Sequence, residues 1–413
     1  MDKIFDKPKI KSRVRAISSK SEAHRALICA ALADKPCFIE CSDTNADIDA
    51  TAACLTSLGA SIERREDGFA VTPIDTVTED AVLPCNESGS TLRFLLPLAA
   101  ALGARCSFSM RGRLPQRPLS PLYDLLEDGG VKMSAQGSNP LSLCGRLKSG
   151  NYSVAANVSS QYISGLLFAL SVADGKSKLC LTGKVESAPY IEMTQDTLVR
   201  FGADIRFDER EGVFQINGRK RLISPDSFKV GGDWSNAAFF LVAGAIGQTP
   251  VTLEGLDKTS RQGDRAALDV LCRMGASISA EDGDITVRPS KLCATDVDAA
   301  DIPDLVPILS VAASVADGVT RIYNASRLRL KESDRIESVC STLSALGADI
   351  RPTPDGMVIT GKSILSGGCV DSFNDHRIAM SAAVASLVCD GPVTVTRFEA
   401  INKSYPAFCD NFY

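Results

Sequence analysis

Apolar positions along the chain fall into runs of two kinds. In the first, "SKSEAHRALICAALA", "SGSTLRFLLPLAAAL", "SSQYISGLLFALSVA", "DWSNAAFFLVAGAI", "IPDLVPILSVAASVA" and "NDHRIAMSAAVASLV" each open on polar residues and continue as small-residue-rich apolar sequence. A helix that is apolar all round is a buried one, so six buried helices are predicted. Each is followed by a short β-like stretch: "CFIEC", "CSFSM", "KLCLTG", "PVTLEG", "VTRIYN" and "PVTVTRF". The second kind is amphipathic and closes on the phrase Leu-x-x-(apolar)-Gly-Ala-x-Ile, which ends at Ile62, Ile205, Ile278 and Ile350. A weaker copy is "LLEDGGVKM". The glycine suits a helix C-terminus, and a hairpin such as "SIERREDGFAVTP" comes next.

Taken as markers, Gly59, Gly129, Gly202, Gly275 and Gly347 are separated by 70, 73, 73 and 72 residues. Each repeat is predicted as helix, strand, helix, strand, strand, and six of them fill nearly all of the 413 residues. A chain this long exceeds one ordinary core. The fold class is therefore α/β, with two similar domains of three pseudo-repeats, buried parallel helices inside and mixed sheets outside. The first dozen residues resemble a strand with no local partner, and the last repeat stops early, its second helix confined to "YPAFCDNFY". Pairing that strand with the last repeat closes the fold. One domain is then expected at residues 17–228 and the other from 1–16 with 229–413.

Composition narrows the function. Apolar and charged fractions of 45% and 23% are those of a soluble globular protein. The opening "MDKIFDKPKI" does not read as a signal peptide, and no apolar run is long enough for a membrane span, so a cytoplasmic protein without membrane contact is expected. The 14 cysteines contain no C-x-x-C and read as buried free thiols of a reducing compartment. His24 and His376 are the only histidines, which leaves little for a metal site, and none is expected. A net charge of −5 and a pI near 5.4 argue against nucleic-acid binding. Clusters of Lys and Arg must then be local and specific.

One such cluster is "RLRLKESDRIES", residues 327–338, with seven charged side chains where a helix begins. A first helical turn prefers acids, yet Lys331 and Arg335 lie there four apart. Either this is a solvated face with Glu332 paired to Arg335, or the positive charge awaits an anion. The buried helices favour the second. They start with Lys20 and Ser21; Gly89 and Ser90; Ser159, Ser160 and Gln161; Asp233 and Ser235; Asp301 and Asp304; Asp375, His376 and Arg377. Capping accounts for one Ser or Asp per helix but not for Lys20, Gln161, His376 or Arg377. With approximate threefold symmetry the helix starts of each domain emerge on one face, and two opposed faces make a cleft suited to phosphate or carboxylate.

Arg25 and Arg93 belong to the same helix starts, Arg113 and Arg117 to the loop "RGRLPQRPLSP", and Lys403 to "INKSYP". Asp304 and Glu332 are interleaved acids, with Lys331 and Lys403 as partners that tune them. Proton transfer among Asp, Glu and Lys, without metal or organic cofactor, is the chemistry on offer. The plainer alternatives are a helix-start acid for Asp304 and a helix-surface histidine for His24.

The stretches "SKSEAHRALICAALA", "ESGSTLRFLLPLAA", "RGRLPQRPLSPL", "SSQYISGLL", "DWSNAA", "RLRLKESDRIES" and "FNDHRIAMS" together resemble the EPSP synthase family of enolpyruvyl transferases over the full length. The resemblance implies two inverted α/β domains with the active site in the cleft between them; closure of the domains is expected to assemble it, since an open cleft of like charges would repel itself. It implies transfer of the enolpyruvyl group of phosphoenolpyruvate to the 5-hydroxyl of shikimate 3-phosphate, through a tetrahedral intermediate and with release of phosphate. These two small molecules are the expected partners, with no cofactor and a monomeric chain.

Carried over by motif, Lys20, Ser21, Arg25, Ser159, Ser160, Gln161, Ser187, Tyr190, Asp304 and Lys331 are expected to hold shikimate 3-phosphate. Lys20, Gly89, Arg93, Arg113, Gln161, Arg335, Arg377 and Lys403 are expected around phosphoenolpyruvate, with His376 beside them. Lys20, Asp304, Lys331, Glu332 and Lys403 are the catalytic set: Asp304, sharing with Lys331, takes the hydroxyl proton, and Glu332, helped by Lys403, manages the proton at the methylene carbon. The family often has Asn-Ala-Gly where this chain has Glu87-Ser88-Gly89, and the segment before Lys331 is longer than in some members, so Arg327 receives no contact. The sister transferase acting on UDP-N-acetylglucosamine usually has Lys-Asn in place of Lys20-Ser21 and a cysteine in the loop 111–118, which here has none. A non-catalytic binding protein of the same fold is the remaining alternative.

Overall fold

All six buried helices are present in the computed structural model, which describes residues 1–281 and 283–413. In chain order the helices are α1 (Lys20–Ala31), α2 (Ala46–Ser57), α3 (Gly89–Leu102), α4 (Leu122–Asp128), α5 (Ser160–Val172) and α6 (Ala188–Arg200). They continue with α7 (Trp234–Ile246), α8 (Ala267–Arg273), α9 (Val306–Ser314), α10 (Arg335–Ala345) and α11 (His376–Ala385). The chain divides into two compact units, residues 18–230 (the central unit) and residues 1–17 with 231–413 (the split unit). Each has its own hydrophobic core.

The repeat is richer by one strand than the sequence pattern suggests. In the third repeat Asn151–Ala155 runs parallel to Gly175–Thr182, which pairs antiparallel with Val213–Gly218, and that strand pairs with Asp204–Asp208. The second repeat repeats this order with Ala81–Asn86, Cys106–Met110, Leu141–Cys144 and Lys132–Met133. The first borrows its leading strand, Ser227–Lys229, from the end of the unit, parallel to Cys37–Glu40. The fourth borrows Arg13–Arg15, parallel to Val251–Glu254. In the last repeat Lys3–Phe5 pairs antiparallel with Val393–Thr396, the closure expected for the N-terminal strand. The second helix expected there is replaced by short 3-10 turns at Phe398–Lys403 and Phe408–Asn411.

The phrase glycines end their helices in the left-handed region, where a side chain is disfavoured. Gly59, Gly202, Gly275 and Gly347 have φ of 116°, 70°, 86° and 85°. In the weaker copy the residue in this conformation is Gly130 (φ 86°), one beyond the expected marker.

In the central unit α3 and α5 pack in parallel and almost in backbone contact. A Cβ on Gly165 would lie 2.3 Å from the Arg93 carbonyl oxygen and 2.9 Å from Pro97 Cγ. Phe94 stacks edgewise on Phe168 at 5.6 Å, both essentially buried, and each ring contributes roughly 1.5–3 kcal/mol by leaving water. The C-terminal ends of α1, α3 and α5 border one cavity of about 630 Å³ through Leu32, Leu102 and Ala173. Their starts therefore lie together at the opposite end.

Candidate active site

Side-chain oxygens cap five of the six buried helices: Ser19, Ser88, Ser159, Asp233 and Asp375 each accept from a backbone N–H of the first turn. α9 is the exception. It follows a 3-10 turn, Pro303–Leu305, and has no side-chain cap. Asp304, expected as a possible helix-start acid, is thus left to turn its carboxylate to other partners.

Those partners are cations. Arg335 donates from Nη1 to Asp304 Oδ1 at 2.7 Å, from Nη2 to Glu332 Oε2 at 2.7 Å, and from Nε to Asp375 Oδ2 at 2.8 Å. Its side chain is only 1% exposed. The positive charge that seemed misplaced at the start of α10 is satisfied by three carboxylates, and the Glu332 pairing is one of them rather than a solvated surface contact. Arg377 joins the three helix starts of the split unit. It donates to Ser235 Oγ on α7 at 2.7 Å, and to the Asp304 carbonyl and Oδ2 ahead of α9 at 3.0 and 3.2 Å. Lys331 Nζ lies 3.6 Å from Asp304 Oδ1. Lys403 donates to the Asn374 carbonyl at 2.6 Å, and His376, 2% exposed, has Nδ1 3.9 Å from Asp375 Oδ1.

The electrostatics follow. Burial alone would raise the Asp304 carboxyl, but Arg377, Lys331 and Arg335 outweigh it and hold the group well below the usual carboxylate range. Lys331 is pulled the other way from an ordinary lysine: burial lowers its ammonium, with Arg335 adding and Asp304 and Glu332 opposing. Arg335 is raised, its own desolvation overcome by Asp375, Glu332 and Asp304.

In the central unit Gln161 joins α5 to α3. Its Nε2 donates to Ser90 Oγ at 2.8 Å and its Oε1 accepts from Arg93 Nη1 at 3.1 Å. Lys20 pairs with Asp47 of α2 at 2.9 Å. Arg25 is 3% exposed and donates to Thr194 Oγ1 and to the carbonyls of Ser21 and Tyr190 at 2.8, 2.6 and 2.8 Å, tying α1 to α6. Burial lowers its guanidinium to about 10. Ser187, just before α6, is buried and left-handed (φ 56°).

A Cβ on Gly89 would meet Arg93 Nη1 at 2.6 Å and Arg117 Nη1 at 2.7 Å, so this glycine lies between two guanidinium groups. Arg113 instead precedes the short turn Leu114–Gln116 and is exposed. The sequence singled out Arg113 where the geometry brings Arg117 to the helix start. His24 is not on a helix surface but 1% exposed. Arg327 donates to the Ala300 carbonyl at 2.7 Å, fixing the turn before Lys331.

Three further residues belong to these clusters and were not assigned from sequence: Asp375 and Ser235 in the split unit and Asp47 in the central unit. Their signal was their presence in the "NDHR", "DWSNAA" and first-repeat segments, but their partners lie far along the chain. Among the described residues, no group of three or more His, Cys, Asp or Glu is arranged to hold a metal ion, and no helix is long and apolar enough to cross a membrane.

Residues 5–412 match the family model described as EPSP synthase (3-phosphoshikimate 1-carboxyvinyltransferase). The chain is 42% identical over 405 residues to the 3-phosphoshikimate 1-carboxyvinyltransferase of Clostridium novyi (strain NT), covering 95% of this chain and 92% of that one. Against the protein of the same name from Clostridioides difficile (strain 630) the identity is 39%, over 98% and 95% of the two chains. Among solved structures, an EPSP synthase from Acinetobacter baumannii superposes with a TM-score of 0.82 at 25% identity, over 99% of this chain and 97% of that chain. The enolpyruvyl transferase NikO from Streptomyces tendae shares the fold, with a TM-score of 0.77 at 20% identity over 99% and 96%.

Proposed function

The chain belongs to the EPSP synthase family, and from that premise we propose how its residues divide the work of the family's reaction. The reaction moves the enolpyruvyl group of phosphoenolpyruvate to the 5-hydroxyl of shikimate 3-phosphate and releases phosphate, a step of aromatic amino-acid synthesis. The observation that carries the assignment is the single buried guanidinium of Arg335 that orders both acids, Asp304 and Glu332.

Shikimate 3-phosphate is held by Lys20, Ser21, Ser159, Ser160, Gln161, Ser187 and Tyr190 in the central unit. Arg25 contributes its charge and keeps Ser21 and Tyr190 in place by donating to their carbonyls. Phosphoenolpyruvate is held by Lys20, Gly89, Arg93, Gln161, Arg377, His376 and Lys403, with Arg117 taking the part first expected of Arg113. Planar guanidinium groups suit carboxylate and phosphate because they donate in pairs. Arg335 serves the reaction by holding the acids.

Addition begins with the 5-hydroxyl donating to Asp304. A carboxylate with so low a pKa orients that proton but stores it poorly. Lys331, its ammonium lowered by burial, shares the proton with Asp304 and accepts it when its amine is in the neutral form. Glu332 relays a proton from the Lys403 ammonium to the methylene carbon, and takes one back from the resulting methyl group as the bond to phosphate breaks. The same proposal has the chain working as a monomer in the cytoplasm.

The test is incubation with both substrates. Phosphate and an enolpyruvyl ether of shikimate 3-phosphate, formed in equal amounts, are expected. Phosphate release from phosphoenolpyruvate only when UDP-N-acetylglucosamine is the acceptor would select the sister transferase, and shikimate 3-phosphate binding without release would make this a binding protein.

A further inference from the structure

A buried line of four polar side chains, none of them given a role above in binding or proton transfer, leads from α1 to the first turn of α3. His24 Nδ1 lies 2.7 Å from Thr51 Oγ1, which lies 2.6 Å from Thr91 Oγ1, and Thr91 Oγ1 donates to Ser88 Oγ at 2.7 Å. His24 is 1% exposed, and Thr51, Thr91 and Ser88 are 0%.

The line has a direction. Thr91 has one hydroxyl proton, and the Asp47 carbonyl, at 3.5 Å, is a poorer acceptor than Ser88. With that proton on Ser88, Thr91 must accept from Thr51, and Thr51 in turn must accept from His24 Nδ1. Burial, reinforced by Lys20 and Arg25, keeps the imidazole well below its usual pKa, so it has one N–H and this line fixes which nitrogen carries it. The line also runs beside the Lys20–Asp47 pair, one turn further along both helices, so α1 and α2 are joined at two successive rungs. Its far end, Ser88, caps α3, and the next residue is Gly89 between Arg93 and Arg117.

We infer that His24 is a positioning residue: through Thr51, Thr91 and Ser88 it sets the first turn of α3, and with it the place of Gly89 and Arg93 toward phosphoenolpyruvate. The inference rests on the proposal that the start of α3 meets that substrate. A line that served only to satisfy buried polar groups would affect stability and leave substrate discrimination alone.

Steady-state kinetics of the full chain with both substrates separates the two. Thr51→Val removes the central hydroxyl at nearly constant volume. It is expected to raise KM for phosphoenolpyruvate about tenfold while KM for shikimate 3-phosphate stays within about twofold. Thr51→Ser restores the hydroxyl and the parental KM. His24→Asn, which keeps an N–H donor, should behave as the parent and His24→Leu as Thr51→Val, a second route should Thr51→Val not fold. A fall in melting temperature with both KM values unchanged, or an equal rise in both, overturns the inference. Gly89→Ala is the control, since its methyl pushes on both guanidinium groups. If it leaves KM for phosphoenolpyruvate unchanged, the placement of that substrate fails and the inference with it. If it raises that KM while Thr51→Val and His24→Leu do not, only the inference falls.

Discussion

Arg335 Nε and Asp375 Oδ2 lie 2.8 Å apart with side chains 1% and 0% exposed, a completely desolvated ion pair. Asp375 also accepts from Ser333 Oγ at 3.2 Å and caps α11 through the Arg377 N–H at 3.0 Å. A buried pair adds little stability over a well-packed apolar substitute, but removing one partner strands the other. Here the partner is Arg335, which would keep Asp304 and Glu332 but lose the contact that fixes its Nε edge.

Asp375→Asn is therefore expected to cost about 3 kcal/mol. For a unit of this size that is a drop in melting temperature of roughly 6–12 °C. Turnover should fall with it, because the guanidinium that anchors both acids is held less firmly. Scanning calorimetry with and without shikimate 3-phosphate reads the first, and product formation the second.

Much of this was legible in the sequence, and the misses share a cause. The period near seventy and the six apolar runs are local patterns, and the buried helices and hairpins followed from them. The leading strands were missed because Ala81–Asn86 contains Pro84 and Val297–Asp298 is only two residues long, so neither displays the alternation of a strand. Gly129 was taken for Gly130 because two adjacent glycines look alike until φ is known. The polar and charged clusters at the helix starts were legible as charge. Partner choice was not: Arg335 and Asp375 are 40 residues apart, Arg113 and Arg117 share one loop, and His24 finds Thr51 only through packing.

The cysteines give a chemical check on the fold. All 14 are free, but the expectation of buried thiols holds only in part, since Cys272, Cys293 and Cys369 are exposed. Burial pushes Cys41 up to about 11 and Cys106 up to about 12, which keeps them protonated and unreactive. At pH 8 a thiol reagent should therefore label about three groups quickly. Cys144, Cys180 and Cys409, partly exposed, should follow more slowly, and the rest only on unfolding. Mass spectrometry of the labelled peptides identifies each class.

The rate should depend on pH through Lys331. Its amine accepts a proton only when neutral, so activity rises as pH increases through the pKa of its ammonium. Burial lowers that pKa below the ordinary lysine value, which brings the rise toward neutral pH. Lys331→Met should slow turnover by about 10²–10⁴ and remove that limb from the kcat profile. A profile that keeps the limb in the variant would transfer the role to another group.

Glu332 offers the sharpest separation of binding from chemistry. Its carboxylate is held by Arg335 at 2.7 Å, a contact in which the amide oxygen of Glu332→Gln can still accept. The variant should thus keep its fold and bind shikimate 3-phosphate with nearly parental affinity, yet it has no proton to give to the methylene carbon. Proton transfer by a positioned carboxyl contributes about 10²–10⁴ in rate, and a loss of that size in kcat is expected with little change in KM. Exchange of the methylene hydrogens of phosphoenolpyruvate with solvent deuterium, followed by NMR, provides an independent readout. Reversible addition should wash deuterium into the parent reaction, and the variant should lose the exchange in step with kcat. Exchange at the parental rate would assign carbon protonation to a group other than Glu332.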